Sequence, residues 1–164
     1  MTASAQLRIA QRKIQNALFQ AQKKAARELV QILIDTIRTR TRLLKELASG
    51  SPIPNLSPST IKSRERYSRN LDSDTSPNTS NATATGQMLN SMKGKAVGTK
   101  ITIDLKTGRR KELSGSKSKL TNSEVNKFYE EKKGEWFNIQ EAERQEAIDY
   151  AAEIIKQEIL KVSK

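Results

Sequence analysis

Carboxylates are the residues of this sequence with most capacity for chemistry. Glu130 with Glu131, Glu141 through Glu146, and Asp149 with Glu153 sit close enough in sequence for one acid to give a proton while another accepts one. Several of them, however, stand three or four positions from each other or from Lys and Arg, the spacing of a solvated helix face. The sequence contains no Cys and no His, so disulfides, thiolate metal sites, cysteine nucleophiles and histidine bases are excluded. A zinc site of carboxylates alone runs against the preference of that metal for nitrogen and sulfur. Lys106-Thr107-Gly108-Arg109 lacks the spacing of a phosphate-cradling loop. We therefore expect no enzyme, no cofactor and no metal.

The cations are more informative. Net charge is +12 over 164 residues, distributed as +7 over residues 1–48, +8 over 49–122 and −3 over 123–164. Arg8, Arg12, Lys23, Lys24 and Arg27 form one basic group, and Arg109, Arg110 and Lys111 another. A basic body with an acidic end can approach nucleic acid, or copies can pair basic face to acidic face. Many of these side chains can equally belong to a solvated helix face. Stacking on bases needs exposed aromatics, and Phe19, Tyr67, Phe128, Tyr129, Trp136, Phe137 and Tyr150 lie mostly outside the basic stretches. No zinc-finger, RNA-recognition or homeodomain signature is present. Any DNA contact would be electrostatic and indifferent to sequence.

The elements that must carry these residues follow from periodicity. Residues 4–48 hold no Gly or Pro, and Leu7, Ile14, Leu18, Ala21, Ala25, Leu29, Ile32, Leu33, Ile37, Leu44 and Leu47 recur at steps of three, four or seven. This predicts one long amphipathic helix, broken at most once and ended by Gly50 and Pro52. At ~1.5 Å per residue it would extend roughly 65 Å. So long a stripe needs covering, by the carboxy-terminal helix or by another subunit. Pro52, Pro54, Pro58 and Pro77 are all the prolines of the chain, set among Ser, Thr and Asn. They predict loop, interrupted by a short helix capped by Ser57 with Pro58 at its first position. Residues 70–84 have almost nothing to bury and are expected to be mobile unless a partner orders them.

Beyond them, Thr85 to Met92 reads as a capped helical turn with Met88, Leu89 and Met92 on its apolar side. Lys100 to Leu105 alternates as a half-buried strand, and Val97 with its neighbours can lead in a partner strand. Thr107-Gly108 signals a turn, and 109–119 a basic loop or hairpin tip. Asn122 or Ser123 should cap a helix closed near Gly134, with Trp136 and Phe137 as anchors of the following helix. That last helix starts with Asn138 and Glu141 at capping-box spacing and carries Ile148, Ala151, Ile155, Ile159 and Val162 on one stripe.

Together these predict an α+β fold: a long N-terminal and a C-terminal helix packed on a small antiparallel sheet, with long flexible loops. We expect a single domain over 1–164, composed of the 1–48 helix, the 49–84 Pro/Ser/Thr-rich segment and an 85–164 sheet-plus-helices region. Apolar residues are 35% of the chain and mean hydropathy is −0.70, so the core should be thin for the length. No compact apolar run opens the sequence, so no secretory leader is expected. No stretch approaches the ~18 apolar residues of a membrane span.

The order of the pieces resembles a family. Leu56-Ser57-Pro58-Ser59-Thr60-Ile61-Lys62-Ser63-Arg64, then Ala84-Thr85-Gly86-Gln87-Met88-Leu89-Asn90-Ser91-Met92, a strand, Phe128-Tyr129 and Trp136-Phe137-Asn138-Ile139 before a final helix resemble the neck and tail-completion proteins of the tailed-bacteriophage head–tail junction. The resemblance covers about residues 56–160, and the Thr85–Met92 turn is its most specific piece. Glu131 stands where the family often has histidine or glutamate, and Glu135-Trp136-Phe137 replaces an arginine-proline-phenylalanine ending. Residues 107–121 look like an enlarged hairpin.

The resemblance implies a virion protein made in the host cytoplasm that assembles as a homo-oligomeric ring around the DNA channel. Its partners would be connector or portal-side proteins on one side and tail proteins on the other, with non-specific DNA contact in the channel and no membrane. It implies that Thr85, Gly86, Met88, Leu89, Met92, Trp136 and Phe137 serve assembly, with Gly86 allowing close backbone approach. The alternative from composition alone is a sequence-independent nucleic-acid-binding accessory protein acting through its basic helix.

Overall fold

Residues Ala3–Thr39, free of Gly and Pro and rich in Ala, form one helix of 37 residues, α1. It passes into a π-helical turn, Arg40–Leu44, and stops at Lys45, whose φ of 58° and ψ of 42° are left-handed. The Lys45 N–H closes the turn on the Arg40 carbonyl. The computed structural model describes residues 3–73, 75–81, 84–105 and 109–162. After α1 come α2 (Pro58–Arg66), a 3₁₀ turn (Ser68–Asn70), α3 (Gln87–Asn90), β1 (Met92–Val97), β2 (Lys100–Leu105), β3 (Arg109–Lys111), β4 (Lys117–Thr121), α4 (Asn122–Lys133) and α5 (Glu141–Val162). The fold is α+β, as the patterning predicts, but the strands form two separate two-stranded sheets, β1–β2 and β3–β4.

The chain divides into two compact units: residues 1–33, 94–102 and 141–164 form one, and 34–93 with 103–140 the other. In the first unit α1 and α5 run antiparallel, because Lys24 bonds Glu158 at 2.7 Å while Glu28 accepts from the Tyr150 hydroxyl at 3.4 Å. Ala21, Ala25, Ala26, Leu29, Leu33 and Ile154 are buried here. The small alanines let helices approach closely, and each Leu or Ile contributes about 1.5–3 kcal/mol by leaving water. On α5 the covered residue is Ile154, while Ile148 of the predicted stripe is exposed. Ala151, Ile155 and Ile159 of that stripe are half-buried; the Val162 side chain lies outside the described part. Strands β1 and β2 are joined by only Gly98 and Thr99, a turn that permits antiparallel pairing alone. Gly98 supplies its φ of +63°, and Ile101, Ile103 and Leu105 alternate with more exposed residues as expected.

The second unit depends on caps and polar bonds. Ser57 caps α2, accepting from the Thr60 N–H at 3.3 Å, with Pro58 in the first turn. α3 has Gly86 at its N-cap position, in the left-handed region and with no side-chain cap hydrogen bond. Residues 109–121 form a hairpin, one of the two forms expected there: β3 pairs antiparallel with β4, Arg109 opposite Thr121 and Lys111 opposite Lys117, with a register shift between them. The Thr107-Gly108 turn lies outside the described residues. Thr121, not Asn122 or Ser123, caps α4, in a reciprocal box with Glu124. Those bonds from Thr121, backbone first, hold the Glu124 carboxyl below its ordinary range. Asn138 does not cap α5; its side chain accepts from the next residue's N–H.

The segment 70–84 has almost nothing apolar to bury, yet its Asn81 is 1% exposed. Thr75 Oγ1 donates to Asn81 Oδ1 at 2.8 Å, and buried Arg64 donates to the carbonyl of Thr79 at 2.7 Å and of Ser76 at 3.5 Å. Polar groups satisfied by one another replace the missing apolar core.

Acid should loosen the α1–α5 pairing. Hydrogen bonds from the Lys161 and Lys24 ammonium groups, in that order, hold the Glu158 carboxyl down at about 2. Its contribution is complete above the ordinary carboxylate range near ~4.3 and disappears as pH falls through that range toward 2. Thermal melts followed by circular dichroism should show wild type losing stability between pH 4.5 and 2. Glu158→Gln should start lower and lose less over the same window; identical acid slopes would remove Glu158 from the account.

Candidate functional site

Three arginines at the end of α1 organise the second unit. Arg38 and Arg42 are one turn apart and project together, while Arg40 between them points the other way. Arg38 Nε donates to the Leu89 carbonyl at 3.3 Å, and Arg42 Nη2 donates to Asn90 Oδ1 at 3.1 Å. Both cations thus meet the C-terminal end of α3, where helix carbonyls lack partners. Arg42 also pairs with Asp72 at 2.7 Å, both side chains being about one-fifth exposed (19% each). Asp72 in turn donates its N–H to the Ala84 carbonyl at 2.8 Å, closing the 72–84 segment.

Gly86 lies against this ion pair. A Cβ there would come 2.5 Å from Asp72 Oδ2 and 3.1 Å from Arg42 Nη2, and the backbone has φ +68°. The close approach expected of this glycine is therefore an approach to the Arg42–Asp72 pair. Met88, Leu89 and Met92 of the same turn are buried, Leu89 completely, and Thr85 is half-buried, its Oγ1 accepting from Gln87 Nε2 at 2.8 Å. These residues, offered by the sequence as assembly residues, are interior ones. They shape the unit and present little side chain to a partner.

Trp136 is likewise fully buried (0% exposed). Its Nε1 donates to Asn126 Oδ1 at 2.5 Å, and Tyr129 and Phe137 meet its ring edge-to-face at 6.4 and 5.3 Å between centroids. Phe137 is half-buried. The Trp136 carbonyl accepts from Arg40 Nη2 at 2.6 Å, as does that of Asn138. Trp136 is thus an anchor, as predicted, but one holding α4 and the π turn. At Gly134, φ is +105° and a Cβ would lie 2.8 Å from Leu47 Cδ1, so a side chain is excluded beside the anchor.

The predicted basic surface is dispersed. Arg8, Arg12, Lys24 and Arg27 are exposed on α1, and Lys23 is half-buried with its ammonium 4.1 Å above the Phe19 ring. Lys24 is engaged with Glu158, which raises its pKa above the ordinary lysine value, hydrogen bonding being the larger cause. Arg110 is half-buried and Lys111 exposed on β3; the Arg109 side chain lies outside the described part. The arginines that hold the unit, Arg40, Arg42 and Arg64, were not among the candidates. Nothing in their spacing distinguishes them from the exposed ones.

Of the acids weighed for catalysis, burial pushes the Glu130 carboxyl above its ordinary range, against a bond to Asn126, with Glu135 adding to the rise. Among the described residues no group of three or more His, Cys, Asp or Glu is placed to hold a metal ion. Among them, too, no helix is long and apolar enough to cross a membrane. No family model, curated protein or solved structure matches this chain.

Gly86→Ala combines a left-handed backbone with a clash onto a charged pair, and should cost about 2–4 kcal/mol. Urea unfolding measures it; a loss under 0.5 kcal/mol would mean that the turn does not close on Asp72. Arg40→Lys keeps the charge but ends one bond short of the Nη2 position that meets both carbonyls. It should cost about 1–3 kcal/mol and alter Trp136 fluorescence, and an unchanged emission spectrum would contradict the clamp.

Proposed function

We propose that this chain is a structural protein of the head–tail junction of a tailed bacteriophage, assembling as a ring around the DNA channel to join connector and tail. It acts by association, without a catalytic step, and its place is the virion. The motif order from Leu56 to Ile139 supports the neck assignment.

One observation carries the associative reading. From Ser4 to Gln20 of α1 no side chain is buried, although Leu7, Ile9, Ile14, Leu18 and Phe19 are there. Leu7 is 62% and Ile14 58% exposed. A row of large apolar side chains on an uncovered helix is a contact surface awaiting a partner. The same stretch is flanked by Arg8, Arg12 and Lys13, and no acid precedes Glu28 in the chain. Helix α5 has the complementary character: Glu141, Glu143, Glu146, Asp149 and Glu153 lie along it, with Ile148 and Tyr150 exposed between them and Leu160 beyond. A basic apolar helix of one copy against the acidic apolar helix of the next is a heterologous contact, the kind that closes into rings.

The uncompensated cations of α1 also fit the second reading, binding of duplex DNA through phosphates. Light scattering of the purified chain at two concentrations, with and without duplex DNA, separates the two. Wild type should form a larger species without DNA, or on adding a connector or tail partner. Leu7→Ser with Ile14→Ser should return it to monomer, its helical circular dichroism falling by no more than the share of residues 4–20. A monomer inert to such partners that binds DNA tightly, and releases it steeply with salt, would replace the neck reading by the second.

A further inference from the structure

A cleft of about 140 Å³ in the second unit is lined by Arg64, Thr85, Gly86, Gln87, Arg110 and Tyr129, with apolar Met88 and Val125 beside them. At ~30 Å³ per water its volume is that of about four or five water molecules. Its interior holds a group of a few heavy atoms.

Two arginines line this small space. Arg64 reaches it from α2, 6% exposed and held by the Ser76 and Thr79 carbonyls. Arg110 reaches it from β3, and Gln87 sets its position: Gln87 Oε1 accepts from the Lys111 N–H at 2.8 Å and Nε2 donates to the Lys111 carbonyl at 3.1 Å. The hairpin register shifts between Arg109 and Lys111, and at this irregular step Arg110 lines the cleft beside the Gln87-held Lys111 backbone. Burial lowers the pKa of both arginines; Tyr129 opposes this at Arg64 and Glu112 at Arg110. Burial also pushes the Tyr129 phenol up to about 12, so it stays protonated and able to donate. The one carboxylate facing Arg110 in these influences is that of Glu112, on the hairpin tip beside it.

We propose that this cleft binds one small oxyanion, a phosphate or carboxylate group, gripped by the guanidiniums of Arg64 and Arg110. Planar guanidinium forks match such oxygens two at a time, and partial withdrawal from water strengthens each bond. Glu112 competes with the ligand for Arg110. The cleft lies wholly within the second unit, and its chemistry does not rest on the neck reading.

The test uses the full chain and two probes, inorganic phosphate and acetate, each titrated against chloride at matched ionic strength and followed by thermal shift. Wild type should be stabilised by at least one probe. Phosphate alone points to a phosphoryl ligand, and a response to acetate points to an acidic group of another protein. Because Arg64 is buried and its variants can fail to fold, Arg110→Gln is the informative change; it should weaken the apparent affinity about tenfold. Glu112→Gln should tighten it several-fold. Lys111→Gln, an equal charge change on an exposed side chain, should leave it unaltered. No response beyond chloride, or equal losses in Arg110→Gln and Lys111→Gln, would overturn the proposal.

Discussion

The Arg40 guanidinium is 1% exposed and donates from one nitrogen to the carbonyls of Trp136 and Asn138, 96 and 98 residues further along the chain. Few groups cost more to bury than a charge, and this one is retained because a fixed pair of backbone acceptors meets it. Much of the second unit follows from that bond. It places the end of α1 beside Trp136, whose ring then takes Asn126 and Tyr129 of α4. The opposite face of the same turn, through Arg38 and Arg42, takes the end of α3 and Asp72. The π turn at Arg40–Leu44 sits where these two demands coincide. An extra residue in the helical turn is a recognised way of re-aiming side chains at such points.

This is a structure in which charged and polar groups substitute for apolar bulk. Ile34, Ile37, Leu47, Ile53, Met88, Leu89, Met92 and Trp136 supply the apolar interior of the second unit, and buried Arg40, Thr41, Arg64, Asn81, Ser91, Ser118 and Asn122 lie with them. Hydrophobic contacts tolerate sliding, whereas a guanidinium set between two carbonyls tolerates little. The polar network therefore specifies one arrangement of a chain with too few apolar residues to do so alone. Gly86 and Gly134 complete that specification: each brings backbone so near a neighbouring side chain, Asp72 in one case and Leu47 in the other, that no Cβ fits.

How far the sequence anticipated this depends on the interaction involved. Local signals were legible: the Gly- and Pro-free run of α1, Ser57-Pro58 opening α2, the alternation of Lys100 to Leu105 and the stop at Gly134 are properties of neighbouring residues. Trp136 was legible as an anchor because a lone tryptophan in an aromatic-poor chain is rarely surface. Long-range polar pairs were not. Arg40 and Arg8 look alike in sequence, and only the carbonyls that meet Arg40 distinguish a clamp from a solvated side chain. The same holds for Asp72, whose partner lies 30 positions away, and for Asn81 in a segment that reads as featureless. At α5 the stripe was legible through Ala151, Ile155 and Ile159, which are half-buried, but not the burial of Ile154 in preference to the equally apolar Ile148.

The first part of α1 presents a different balance. No acid stands in its first turn to complement the helix dipole, and Arg8 with Arg12 places like charges one turn apart. A peptide of that length with such charges is a marginal helix in water, and none of its apolar residues from Leu7 to Leu18 is buried to offset this. What favours helix there is continuity with the covered turns from Ala21 onward, where nucleation has already occurred. Helical order in residues 4–20 is consequently the part of the chain most responsive to a covering surface. Any surface that shields Leu7, Ile14 and Leu18 while placing carboxylates near Arg8 and Arg12 removes both penalties together. Contact and helix formation are then one equilibrium, and its position depends on the concentration of whatever supplies the acids.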